Sequence, residues 1–145
     1  MKRIVFLICM LAFAIISCTT EKNAVSYTEA RNYFHNNNAP LPGQLKITTE
    51  EEFYRHFSPA AFMGKGGEVT PIDFRRSFVI AKVLPVTDRD TELRPMKLAK
   101  AGHAELELTY RLKTGERQSY STQPIFILIV DKRYKNYAVK EVVRQ

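Results

Sequence analysis

Ala104-Glu105-Leu106-Glu107-Leu108-Thr109-Tyr110-Arg111-Leu112-Lys113 alternates apolar and polar residues without a break. A period of two is the signature of a strand with one dry and one wet face. Leu106, Leu108, Tyr110 and Leu112 make the dry face, and Glu105, Glu107, Thr109, Arg111 and Lys113 the wet one. Two other runs, Phe78-Val79-Ile80-Ala81-Lys82-Val83-Leu84 and Ile125-Phe126-Ile127-Leu128-Ile129-Val130, are almost wholly apolar. That pattern predicts strands covered on both faces. Thr91 to Ala99 reads as a less regular strand, with Pro95 marking an edge or a bulge because proline lacks the ladder donor. Turns are expected at Pro85–Asp90, at Lys100-Ala101-Gly102 and at Lys113-Thr114-Gly115-Glu116, then a polar return through Arg117 to Gln123. Lys132 to Asn136 reads as a hairpin turn before Tyr137 to Val143 closes the sheet. Short connections favour antiparallel pairing, because parallel strands need long crossovers.

Upstream of these strands lies one helix. Gln44 to Ile47 reads as a short strand, and Thr49 with Glu52 forms a capping box. Glu50, Glu51 and Glu52 occupy the first turn, where the helix dipole favours carboxylates. Adjacent helical side chains diverge by about 100°, so three consecutive glutamates cap rather than converge on a metal. Phe53 and Phe57 share a face, and Ser58-Pro59 stops the helix. The expected fold is therefore α+β: an antiparallel β-sheet of about five strands with one short helix packed on one face.

The N-terminus reads as an address. Lys2 and Arg3 precede an apolar run from Ile4 to Ile16. As a helix it spans roughly 20 Å, short of a bilayer core of about 30 Å, but it suits a secretory signal. The run ends Ile15-Ile16-Ser17-Cys18, which resembles a bacterial lipobox. That resemblance implies cleavage after residue 17 and lipidation of Cys18, with palmitate-type acyl chains holding the protein on the membrane. No acidic residue follows Cys18 directly, which in that resemblance favours the outer membrane. The expected organisation is a signal peptide at 1–17, a lipid-anchored tether and lead-in segment at 18–43, and one α+β domain at 44–145. Within the lead-in, Ser26 to Phe34 reads as either a short helix or an edge strand.

Composition bounds the chemistry. The chain has 145 residues, 45% apolar and 26% charged, which is ordinary for one globular domain. Its two cysteines exclude a disulfide scaffold and a multi-cysteine zinc site. Net charge is +7, and +5 once residues 1–17 are removed. The bases are dispersed, and no nucleic-acid recognition motif is present. The three histidines, His35, His56 and His103, lie far apart in sequence, and no metalloprotease, nucleophile-elbow or Walker motif occurs. Glu105 and Glu107 sit on one strand face about 7 Å apart, a spacing open to a glycosidase-like pair but commoner for solvent-facing glutamates. The glycines of Met63-Gly64-Lys65-Gly66-Gly67 do not make a phosphate loop, because Lys65 is followed by glycine and a strand follows the segment. Gly64, Lys65, Gly66, Gly67 and Asp73 instead mark a candidate binding loop, with Asp73 expected to cap a turn or pair with an arginine.

Phe62-Met63-Gly64-Lys65-Gly66-Gly67-Glu68-Val69-Thr70-Pro71-Ile72-Asp73-Phe74 resembles an F-M-G-x-x-G-x-x-T-x-I-D-F-type segment of small Gram-negative lipoproteins. The stretches SFVIAKVLPVTDRDTEL and SYSTQPIFILIVDK are similar to that group as well. More distantly, residues 44–143 resemble the C-terminal domain of PrcB-type protease-complex accessory proteins. The chain departs from that pattern at Pro85-Val86-Thr87-Asp88, where those proteins have a glycine-rich turn. Neither resemblance supplies catalytic residues.

The expectation is an outer-membrane-anchored lipoprotein that acts as a non-enzymatic binding or accessory module for an envelope protein. It needs no cofactor and no metal, and its partners are the membrane, through the anchor, and an envelope protein. The alternatives are an envelope hydrolase and a binder of anionic glycolipid, the latter requiring basic side chains that converge on one face.

Overall fold

The computed structural model describes residues 22–40, 43–60 and 63–145. The expected signal peptide, the expected lipidation residue Cys18 and Phe62 of the glycine motif lie outside the described residues. Among the described residues no helix is long and apolar enough to cross a membrane. In chain order the elements are β1 (Tyr27–Glu29), β2 (Tyr33–His35), β3 (Gln44–Ile47), α1 (Glu50–His56), β4 (Phe57–Pro59), β5 (Ser77–Val83), β6 (Thr87–Lys100), β7 (Glu105–Thr122), β8 (Ile125–Asp131) and β9 (Ala138–Arg144). A single 3-10 turn, Lys132–Tyr134, joins β8 to β9.

The protein is mostly β with one short helix, as expected, but the strands do not form one five-stranded sheet. They form three sheets, ordered β1-β8-β5-β3, β6-β7-β9 and β2-β4. The reason is one long ribbon folded on itself. The β5–β8 ladder runs from Ser77↔Asp131 to Val83↔Ile125. Leu84 N then donates to Pro124 O at 3.0 Å, and the ladder continues as β6–β7 from Thr87↔Thr122 to Lys100↔Leu106. Between Thr87↔Thr122 and Arg89↔Arg117 the register slips by several residues on β7. Such bulges bend a ribbon so that its strands pass from one sheet to the next.

Three expectations are corrected here. Pro85–Asp90 is not a complete turn, because β6 already starts at Thr87. Lys113–Glu116 does not reverse the chain, because β7 runs on to Thr122. Tyr137–Val143 does not close an antiparallel sheet, because β9 pairs parallel to β7. The last follows from topology. β8 lies between β1 and β5, so both its edges are taken. The chain crosses from β7 to β8 in the other sheet and back to β9, and two reversals restore the original direction.

The core has two compartments. Phe78, Ile80, Phe126, Leu128 and Val130 meet Leu98, Leu106, Leu108 and Tyr110 inside the folded ribbon. On the opposite face of the first sheet, Val79, Ala81, Val83 and Ile127 pack against Ile47, Phe53 and Phe57. β5 and β8 are thus covered on both faces, which is why their sequences are continuously apolar. Val25 N bonds Leu98 O at 2.8 Å while β1 pairs with β8, so residues 23–29 bind both sheets along one side. Along the other side Lys46 Nζ donates to Tyr137 O at 2.8 Å and Lys82 pairs with Glu141.

The helix starts as its sequence predicts. Thr49 Oγ1 accepts from Glu52 N at 3.2 Å. The Glu52 carboxylate accepts from Thr48 N at 3.4 Å, one residue before the cap. Its end is held by a residue from a distant turn. Asn36 Nδ2 donates to Tyr54 O and Arg55 O, and Asn36 N donates to His56 O. Ser58 Oγ donates to Asn36 Oδ1 at 2.6 Å, which orients the amide. The last carbonyls of a helix lack internal partners, and Asn36 supplies them while β2 pairs with β4.

Candidate functional site

The glycine loop is built as a held turn. Gly64 and Gly66 have φ of 114° and 87°, conformations that side chains resist. Gly67 N donates to Gly64 O, and the Asn32 amide donates to Gly66 O at 2.8 Å and Glu68 O at 2.6 Å. Asn32 itself takes a φ of 63° to do so. Lys65 is exposed and Gly67 buried. Asp73 does not join this loop. Its Oδ1 accepts from Arg75 N at 3.0 Å and from Arg75 Nε at 3.2 Å. The Arg75 side-chain hydrogen bond holds the Asp73 carboxyl below the usual range. Asp73 therefore does what its sequence context suggests, capping a turn and pairing with an arginine. It lines a recess with Thr48, Thr49, Pro71 and Lys132, and none of Gly64, Lys65, Gly66 and Gly67 lines it.

A stronger constellation lies on the outer face of β6-β7-β9. Arg94 stands directly opposite Arg111 on the antiparallel pair, and Arg111 opposite Arg144 on the parallel pair. Directly opposed residues share a sheet face. Leu106, Leu108 and Tyr110 are buried inward, so alternation sends Arg111 outward with both partners. Three arginines therefore stand abreast, at a strand spacing of about 4.8 Å. Lys97 and Lys113 belong to the same face, one pair on either side of the row: Lys97↔Thr109 and Glu92↔Lys113. The face also carries Glu92, which pairs with Arg94 at 3.7 Å, and Glu105 and Glu107 near the hairpin end.

Like charges directly opposite on neighbouring strands are destabilising, and this row has two such pairs. Arg111 bears a further cost, since its Nε is enclosed and has no hydrogen-bond partner. A recess of about 620 Å³ opens beside it, lined by Glu92, Arg111, Leu112, Lys113, Thr114, Val143 and Gln145. Arginine forks match carboxylate and phosphate oxygens in pairs. Such a row has the chemistry to take an anion. Sequence reasoning found the charge and missed the row, because its members come from three strands whose register no local pattern reveals.

The structure also joins two histidines that the sequence separates. His35 on β2 and His56 at the end of α1 are 8% and 7% exposed, with ring centres 6.4 Å apart. The pairing His35↔Phe57 brings them together. His35 Nε2 and His56 Nδ1 are both buried without a partner, at a cost of about 1–3 kcal/mol each. Burial, and then the neighbouring His56, lower the His35 pKa. A lowered value means the unfolded chain binds the proton more tightly. His35's contribution is therefore present above about pH 6.5 and is lost as pH falls toward its folded-state pKa. Urea midpoints from pH 7.5 to 5 should fall in the wild type and fall less in His35→Phe. Equal slopes would contradict this assignment.

Compared with known proteins, the chain matches no family model, no curated protein and no solved structure.

Proposed function

We propose that the chain is a lipid-anchored binding module of the bacterial envelope, held at the outer membrane through Cys18, that acts without catalysis and takes an acidic surface of an envelope protein on its arginine face. The observation that supports this reading is the row Arg94, Arg111 and Arg144, with an enclosed and unpartnered Nε on Arg111. Glu92 pairs with Arg94 alone, and the charge that Arg111 and Arg144 add to the row supports a reading in which an external anion completes it. The signal-like start and the lipobox resemblance at Cys18 support the location. A second reading uses the same face for the phosphates of an anionic glycolipid, whose repeated charges also suit a row of arginines.

The test is crosslinking in intact cells with mass spectrometry, on the wild type, Cys18→Ser and the double variant Arg111→Gln/Arg144→Gln. The expected result is one reproducible protein partner, lost in Cys18→Ser and reduced about tenfold or more in the arginine variant, as removing two charge-assisted contacts implies. Loss of radiolabelled palmitate from Cys18→Ser checks the anchor in the same cells. Capture of lipid or glycan alone overturns the protein reading in favour of the second. Undiminished capture by the arginine variant overturns the site.

A further inference from the structure

The strand that carries Arg111 and Lys113 is paired on one side along its whole length and on the other along only part of it. β7 has 18 residues, but β9 pairs only with Glu105–Arg111. From Leu112 to Thr122 that edge of β7 meets no other strand among the described residues. Such an edge presents a row of unpaired N–H and C=O groups. We propose, resting on the docking role read for this face, that an extended segment of the envelope partner, with acidic and apolar residues in alternation, adds to this edge of β7 in the track that β9 leaves at Arg144.

Both faces of the open position match such a segment. The recess of about 620 Å³ lies where β9 stops, and its lining comes from both faces of the sheet. Arg111 and Lys113 belong to the outer face. Val143 belongs to the inner face, because it stands opposite the buried Tyr110, and alternation along β7 places Leu112 there too. Leu106 and Leu108, nearer the hairpin on that face, are fully buried, whereas Val143 is 49% exposed and Leu112 only partly buried. The apolar surface is thus left uncovered at the point where the third strand ends. A strand in this track sends one set of side chains over Leu112 and Val143 and the alternate set over Arg111 and Lys113. Opposite charges across a ladder attract and like charges repel, so the outer set is acidic. Among the described residues Arg111, Lys113 and Arg144 form no ion pair. Glu92 faces Lys113 from the β6 side but pairs with Arg94. The two outer edges of this sheet are less open. Gln44 Nε2 and Lys46 Nζ donate to Val139 O and Tyr137 O along β9. Residues 23–25 bond the end of β6, and Pro95, which has no N–H, interrupts the remainder.

The test is titration of the purified full chain with a peptide of alternating glutamate and valine, about six residues long and capped at both ends, followed by nuclear magnetic resonance. The expected result is that backbone resonances from Leu112 to Arg117 shift and that alternate amides there exchange more slowly, as new ladder bonds require. This readout needs no variant to fold. Binding should weaken at least about fivefold when glutamine replaces the glutamates, and by as much in Arg111→Gln/Lys113→Gln. A peptide of the same composition, with its glutamates and valines in separate blocks, should also bind at least about fivefold more weakly. Equal binding by the block peptide, or shifts without slowed exchange, would overturn strand addition in favour of a diffuse charge contact. A cellular partner that depends on Arg111 and Arg144, together with no peptide binding, would mean that a folded acidic surface docks on the face, and would overturn the strand addition alone. Peptide binding without any cellular partner would uphold the edge and overturn the function proposed above.

Discussion

Phe57→Ala is expected to lose about 3–5 kcal/mol of stability, the range for truncating a fully enclosed phenylalanine. Phe57 is 0% exposed and occupies the point where α1 becomes β4. Its backbone N–H returns to Phe53 O and closes the last helical turn. Its ring lies 5.2 Å from that of Phe53 and 5.8 Å from that of His35. The ring thus touches the helix, the β2–β4 pair and, through its cluster, the back face of β5 and β8. None of these can close on the void without moving a strand, so the cavity term stays large. Domains of this size are stable by about 5–15 kcal/mol, so the variant sits near the limit of folding. The control is Phe34→Ala, in the strand facing it. Phe34 is 48% exposed, and its loss should stay within about 0.5 kcal/mol. Urea unfolding of both variants checks the contrast. A loss below about 1.5 kcal/mol for Phe57→Ala would mean that α1 and β4 are not packed as described.

The same contrast explains what the sequence could and could not disclose. Thr49 and Glu52 announce the helix start because capping is local chemistry. Leu106, Leu108 and Tyr110 announce β7 because burial imposes a period on neighbours in the chain. Residues 113–122 carry no such mark. Neither face of that half-ribbon is consistently buried, so its ladder is held by backbone bonds that leave no trace in residue type. Gly115 and its neighbours read as a turn for that reason, whereas the strand runs through them. The parallel placement of β9 was hidden in a different way. Lys132–Asn136 has the length of a hairpin turn, and only the occupation of both β8 edges, one of them by Tyr27–Glu29, forbids the hairpin. The arginine row and the histidine pair belong to this second kind. Each depends on which strands lie opposite, a property of the assembled sheets and not of any segment.

Glu141→Ala should destabilise the protein by about 2–3 kcal/mol, below the 3–5 kcal/mol of a wholly buried pair because water still reaches this one. Lys82 Nζ lies 3.0 Å from both carboxylate oxygens of Glu141, with side-chain exposures of 15% and 22%. Tyr110 Oη donates to the same carboxylate at 3.2 Å, and the ammonium sits 5.7 Å from the Tyr110 ring centre. Lys82 falls on the inner face of β5, in line with Phe78 and Ile80, where an apolar residue would be expected. Without Glu141 its charge is stranded between two sheets. The double variant Lys82→Met/Glu141→Leu removes both charges and fills the space, so it should come within about 1 kcal/mol of the wild type. Tyr110→Phe, which removes one hydrogen bond, should cost about 0.5–1.5 kcal/mol. The pH response separates the pair from simple packing. Burial lowers the Lys82 pKa, but the hydrogen bond and charge of Glu141 outweigh it and the net shift is upward. A raised folded-state value means the pair's contribution is complete below the unfolded lysine pKa of about 10.4 and fades as pH rises through the folded value. The wild type should therefore lose more stability than the double variant between pH 9.5 and 11.5. Parallel curves for the two would show that Lys82 and Glu141 join the sheets by packing alone.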